Sequence, residues 1–157
     1  MISNSKLVLW QGASLTIPQL EEHLRYQLSL SLENWERDII TFALEWLDER
    51  NSFFWVPTSG STGAARKISF SRKQMVQLAL ATGDHFNLQP GNKVLLALPA
   101  HFIAGKMMIV RAMVLGLDLY YMPPEISVIE NVTEDFDFCA LIPLQLQFAI
   151  DHELHHQ

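Results

Sequence analysis

Residues 93–122 read KVLLALPAHFIAGKMMIVRAMVLGLDLYYM, and the order of residue types in that stretch decides the fold class. Val94 to Leu98 is a near-continuous apolar run of strand length, and Leu117 to Met122 is a second one, stopped by Pro123 and Pro124. Between them Ile103 to Leu115 is apolar over a helical length and is followed by Gly116, the residue that best tolerates the left-handed turn closing a helix. Strand, helix and strand in this order form a βαβ unit over 93–122, and a helical crossover makes its two strands parallel. Strands without polar alternation are buried on both faces.

Working outward, the same signals continue. Downstream, Phe138 to Ile142 repeats the strand pattern, and Pro143 with Leu144, Leu146, Phe148 and Ala149 opens another helix. Upstream, Gln89-Pro90-Gly91-Asn92 is a turn, and Ser71 is a good N-cap for a helix running from Arg72 towards Phe86. Lys67 to Phe70 reads as a returning strand, and Phe53 to Val56 as a buried strand. A helical lead-in over 17–50 comes first. Leu20, Leu24 and Leu28 mark one amphipathic helix, and Trp35, Ile39, Phe42, Ala43, Trp46 and Leu47 a second. Pro18 fits the first turn, where its missing N–H costs nothing, and Asn51-Ser52 gives the stop. The expected fold is α/β, a largely parallel sheet with helices on both faces, with Trp35, Trp46 and Trp55 in its core.

Composition narrows the function. The chain has 157 residues, 49% apolar and 18% charged, which is room for one folded domain. Eleven Lys and Arg face 17 Asp and Glu, a formal net charge of −6, which opposes the phosphate-neutralising footprint of a nucleic-acid binder. No apolar stretch reaches the ~18 to 20 residues that span a bilayer, because Lys106 and Arg111 interrupt the strongest candidate, so no membrane role is expected. Met1 to Trp10 lacks an export signal, and a cytoplasmic location is the simplest expectation. Cys139 is the single cysteine, expected as a buried structural thiol inside its strand.

The most informative loop is Thr58-Ser59-Gly60-Ser61-Thr62-Gly63-Ala64-Ala65-Arg66-Lys67, entered from a strand. Glycines let backbone N–H groups converge on one concavity, hydroxyls add donors, and two cations at the exit neutralise charge, which together suit a polyphosphate. A flexible surface turn has a similar composition, so composition alone leaves both readings open. The Walker pattern fails, since neither Gly60 nor Gly63 begins it, and the dinucleotide glycine triplet is missing.

Other tempting residues have plainer readings. His152-Glu153-Leu154-His155-His156 fits a zinc-binding helix motif, but a third ligand is lacking, so a polar tail is expected and no metal site is assigned. Lys106 and Arg111 lie on an apolar helix and are expected to snorkel to its edges. The alternative for Lys106 is a meeting with the carboxylate of an acidic substrate.

Thr58 through Gly63 match the first six positions of the T-S-G-S/T-T-G-x-P-K-G signature, so the loop resembles that of the AMP-forming acyl-CoA synthetase, adenylation-domain and luciferase superfamily. Ala65 stands in place of the proline, Arg66 in place of the lysine and Lys67 in place of the last glycine. Leu98-Pro99-Ala100-His101-Phe102-Ile103-Ala104-Gly105 is similar to the superfamily's L-P-L-F-H-I-x-G segment, with the aromatic and the histidine exchanged. Cys139 to Gln147 resembles its strand and V-P-T-x-L turn. Within the superfamily, Ala104 to Ala112 and the compact spacing resemble the o-succinylbenzoate-CoA ligases of menaquinone biosynthesis.

The resemblance implies a ligase that joins a small carboxylic acid to CoA through an acyl-adenylate, using ATP and Mg²⁺. It implies phosphate binding by Thr58, Ser59, Gly60, Ser61, Thr62, Gly63 and Arg66, with Lys67 assisting. His101, Phe102 and Gly105 would shape the acid pocket, with Lys106 beside it. The later adenine, ribose and lysine motifs of the superfamily do not occur, so the expectation is a partial N-terminal domain without a complete catalytic set, inactive by itself. A non-catalytic nucleotide- or partner-binding module is the alternative. An interrupted sheet would also leave an edge at which two copies could pair as a homodimer.

Overall fold

The computed structural model describes residues 7–57 and 67–153. It has an α/β architecture around a five-stranded sheet in the order β2-β1-β6-β5-β7, with a separate two-stranded β3-β4 sheet. The first element is a hairpin the sequence reading did not contain. Strand β1, Leu7–Trp10, pairs antiparallel with β2, Ala13–Thr16, through a turn at Gln11 and Gly12, whose φ values are 51° and 78°. A Cβ at residue 12 would lie 2.9 Å from the Tyr120 hydroxyl, so the turn needs glycine for space as well as for its backbone angle.

Helix α1, Ile17–Leu28, starts from a reciprocal cap between Thr16 and Gln19, with Pro18 in its first turn as expected. Helix α2, Asn34–Leu47, buries Ile39, Phe42, Ala43 and Trp46 along one side. Helix α3, Arg72–Phe86, is capped by Ser71 as the sequence predicts. The βαβ unit is also as read: strand β5, Lys93–Leu96, helix α4, Ile103–Leu115, and strand β6, Asp118–Tyr121, with Gly116 at φ 73° closing the helix. Strand β5 lies between two parallel partners, β6 and β7, Phe138–Ala140, and β1 joins β6 in parallel through Trp10 and Leu119. Among the described residues, the β1-β2 pair is the one antiparallel pair of this sheet.

Successive residues of β5 face opposite sides. Val94 and Leu96 join the main core with Met108, Ile109 and Trp10, beneath the layer built by α4, α2 and α3. Leu95 and Ala97 belong to a smaller cluster with Val128, beneath a 3-10 turn at Val128–Asn131. Helix α5, Pro143–Glu153, contacts that turn. Gln145 locks this side: its side-chain amide donates to the carbonyls of Ala97 (3.0 Å) and Glu125 (2.9 Å), and its Oε1 accepts from the Ile142 N–H (3.0 Å).

The β3 strand, Phe53–Pro57, departs from the sequence reading. It pairs antiparallel with β4, Lys67–Ser71, outside the parallel sheet. Rather than being buried throughout, it alternates: Phe54 and Val56 are buried, while Phe53 and Trp55 are 59% and 60% exposed. A strand with one partner and one covered face has only one apolar side to bury. Trp55 is therefore not a core residue; Trp46 is, and Trp35 is half-buried, meeting Tyr121 edge-on. Cys139 corrects a further expectation, since it is exposed on β7 rather than buried. Among the described residues β7 is an edge strand, and of its three residues Cys139 alone is exposed.

Candidate functional site

The β3-β4 hairpin brings the ends of the glycine- and hydroxyl-rich loop together, because Pro57 and Lys67 are paired residues at its tip. Thr58, Ser59, Gly60, Ser61, Thr62, Gly63 and Arg66 lie outside the described residues, so the geometry available is that of the stem. The stem is firmly seated. Phe54 packs against Phe42 and Trp46, with ring centroids 5.7 and 5.1 Å apart. Arg72, just after β4, donates to the carbonyls of Asn51, Trp46 and Asp48 at 2.8 to 2.9 Å and lies 4.3 Å above the Trp46 ring. A single planar guanidinium thus ties the hairpin base to the end of α2.

Two cavities flank the tip, and Pro57 lines both. The first, of about 390 Å³, is apolar: Val56, Ile68, Phe70, Phe102 and Ile103 contribute to its wall. The second, of about 250 Å³, is charged, with Asp38 and Glu45 from α2, His101 and Lys106 from the 100–106 segment, and Lys67 from the hairpin. Trp55 contributes from the outward side of β3, which gives its exposure a use.

His101 and Phe102 are neighbours in sequence with ring centroids 4.0 Å apart, yet they serve different cavities. His101 is held by Asp38, whose Oδ2 is 3.2 Å from the ring Nδ1. Phe102 faces the apolar space. Gly105 lines neither cavity among the described residues. Its place is steric: a Cβ there would stand 2.4 Å from the Pro99 carbonyl oxygen and 2.8 Å from Ala100 Cα. That close approach seats the first turn of α4 against the end of the strand segment, which fixes where His101 and Phe102 point.

Lys106 does not snorkel to an edge as expected. It is 9% exposed, and its ammonium lies 4.1 Å over the Phe42 ring. Burial pushes its pKa below the usual lysine value, against the opposing pull of Glu45 and Asp38. Arg111 is also not at a solvated end: it is half-buried in mid-helix, donates to Met108 Sδ at 3.6 Å, and its Nε has no partner. Burial pushes its pKa down as well.

Asp38, Thr41, Phe42 and Glu45 were missed as site residues by the sequence reading, although the signal was available. They recur on α2 at spacings of three and four, so a polar stripe borders the buried one. At the other end of the chain, His152 is spoken for: its Nε2 pairs with Glu130 at 2.9 Å and its ring stacks on Phe148 at 3.9 Å. His155 and His156 lie outside the described residues. Among the described residues no group of three His, Cys, Asp or Glu is placed to hold a metal ion, and no helix is long and apolar enough to cross a membrane.

Comparison with known proteins meets this geometry. Residues 8–155 match the family model described as AMP-binding enzyme. Among solved structures the chain is similar to the acyl-CoA synthetase (AMP-forming)/AMP-acid ligase II-like protein from Dyadobacter fermentans DSM 18053. The identity is 31% and the TM-score 0.74, over 85% of this chain and 38% of that one. It also matches the inhibitor-bound N-terminal domain of FACL13 from Mycobacterium tuberculosis at 21% identity and a TM-score of 0.43, over 50% of this chain and 20% of that one, a likeness too slight to carry an argument. No curated protein matches the chain. The chain spans well under half the length of the Dyadobacter protein. With the family model matched across nearly the whole sequence, the chain belongs to the AMP-binding enzyme family.

Proposed function

We propose that this chain supplies the phosphate-binding loop and the acid-binding wall of an AMP-forming acid-CoA ligase. The observation that carries the reading is the position of Pro57 and Lys67. The loop's two ends are paired at the hairpin tip, and both residues border the charged cavity. A polyphosphate held by 58–67 would thus lie beside a space fit for an acid.

In the proposed reaction, a carboxylate oxygen attacks the α-phosphorus of ATP and pyrophosphate leaves, giving an acyl-adenylate. The CoA sulfur then attacks the acyl carbon, and AMP leaves with the bonding pair. The part taken by this chain is electrostatic and positional: backbone N–H groups around Gly60 and Gly63, the hydroxyls of Thr58, Ser59, Ser61 and Thr62, and Arg66 with Lys67 hold the departing pyrophosphate. Phe102 and Ile103 cover the apolar body of the acid, while His101 borders its polar end. Mg²⁺ would share the phosphate charge in the complete enzyme, and no described residue is assigned to it. The finer reading, o-succinylbenzoate as the acid in menaquinone biosynthesis in the cytoplasm, rests on the resemblance of 104–112. The proposal assigns the contacts to adenine, ribose and the reacting carboxylate to residues outside this chain, and it expects no adenylation by this chain alone.

Acid-dependent exchange of labelled pyrophosphate into ATP tests the proposal, run on this chain and on any reading frame that extends it. Exchange in the longer product alone is the expected result. Exchange by the 157-residue chain would overturn the shared-labour part. No exchange by either product with any acid would overturn the ligase reading and leave a nucleotide-binding module.

A further inference from the structure

We infer that the charged cavity is a carboxylate subsite, in which Lys106 receives an anionic group of the acid substrate other than the one that is adenylated. This deepens the ligase reading and rests on it. The starting point is a nearly buried cation. Lys106 carries three donors and is 9% exposed, and among the described residues none of the ion pairs includes it. Its ammonium lies over the face of Phe42, at 4.1 Å. An aromatic face attracts the charge without accepting all three N–H bonds, so an anion entering the cavity would meet donors able to bind it.

The wall around it specifies the anion. Asp38 is engaged by His101 at 3.2 Å, and its side chain is 41% exposed, nearer the mouth than the buried ammonium. Among the described lining residues, Asp38 and Glu45 balance Lys67 and Lys106. A triphosphate would bring several negative charges against two fixed carboxylates, whereas a single carboxylate placed on the deep ammonium adds one. The volume of about 250 Å³ suits such a group with a short linker. Across Pro57, the cavity of about 390 Å³ lined by Phe70, Phe102 and Ile103 would take an apolar body. The ligand assigned to the charged cavity is an aromatic or alkyl diacid, anchored at one end by Lys106.

Calorimetric binding to the whole chain, with three probes, tests the inference. The probes are o-succinylbenzoate, 3-benzoylpropionate, which is the same molecule without its ring carboxylate, and inorganic pyrophosphate. The diacid should bind roughly tenfold or more tightly than the monoacid, the size of effect expected for one charge-assisted contact in a buried site. Lys106→Met should bring the two acids to similar affinity, and Lys106→Arg should retain part of the preference. A diacid-to-monoacid ratio near one in the wild type, or one unchanged in Lys106→Met, overturns the subsite. So does a loss in Lys106→Met that falls on pyrophosphate instead, because the cavity would then serve the nucleotide. If the Met variant does not fold, the wild type still decides: the diacid should raise the titration midpoint of Lys106, read at its Cε by NMR, and an unmoved midpoint overturns the inference. Absence of binding by both acids overturns it too, while the ligase reading is judged separately by pyrophosphate exchange in the longer product.

Discussion

Strand β5 is covered on both faces and has a strand on each side, so Leu95 and Leu96 are both buried although they point in opposite directions. Strand β3 has one partner and one covered face, so of Phe53, Phe54 and Trp55 only the middle residue is buried. The two strands are similarly apolar in composition and differ in what surrounds them. The parallel sheet devotes its side chains to the core, whereas the hairpin divides them between an anchor and a wall of the charged cavity. A segment that carries a binding loop gains from this division, because its inner face fixes its place and its outer face remains available.

The sharpest way to break this comparison is to remove the anchor. Phe54→Ala should destabilise the protein by about 3–5 kcal/mol, the usual cost of emptying an aromatic site in a packed core, measured by urea denaturation. A loss under about 1 kcal/mol would mean the hairpin is not joined to the main core in solution. The neighbouring residue should behave in the opposite way. Trp55→Thr keeps a β-forming side chain and removes a largely exposed ring, so stability should change by no more than about 0.5 kcal/mol, while binding of acids to the charged cavity weakens. Equal destabilisation by the two substitutions would erase the distinction between the faces.

The smallest effect concerns the link from α2 into β3. Hydrogen bonds from the side chain and backbone of Arg50 hold the Asp48 carboxyl down at about 2, from an ordinary 3.8. Because the folded value is the lower one, the stabilisation is fully present above pH 3.8 and is lost as the pH falls through about 2. The pair is exposed, so its contribution is small and screened by salt. Asp48→Asn should slightly flatten the acid limb of a Tm-against-pH curve in that window, and added salt should do the same to the wild type. An unaltered limb in both would show that this ion pair does not stabilise the hairpin's entry.

What was legible in the sequence was what neighbours in the chain decide. Pro18, Ser71 and Gly116 mark helix ends through their own backbone chemistry, and α1, α3 and α4 begin or end there. The parallel βαβ unit follows from a helix placed between two apolar runs. The one-sided burial of β3 was not legible, because Phe53 and Trp55 have the composition of core residues and are exposed only because no described element covers the outer face of the hairpin there. The β1-β2 hairpin was hidden for another reason: its strands are short and its Gln11-Gly12 turn lacks the usual Asn or Asp. At the site, His101, Phe102 and Lys106 were named in advance, while Asp38 and Glu45 had to wait for α2 to be placed opposite them. Gly105 was named for the shape of the acid pocket, and the close approach of the Pro99 carbonyl to it was not legible before the fold was in hand.

The position of β1 inside the sheet sets a timetable for synthesis. The strand is made before both of its neighbours, β2 and β6, yet it lies between them, and its parallel partner Leu119 leaves the ribosome far later. At roughly 5–20 residues per second, Trp10 spends seconds with only its hairpin mate for company before the crossover through α4 can return a strand to cover it. Local turns can form on the way out, but the central sheet closes late, and β1 is among the elements that wait longest for their final neighbours.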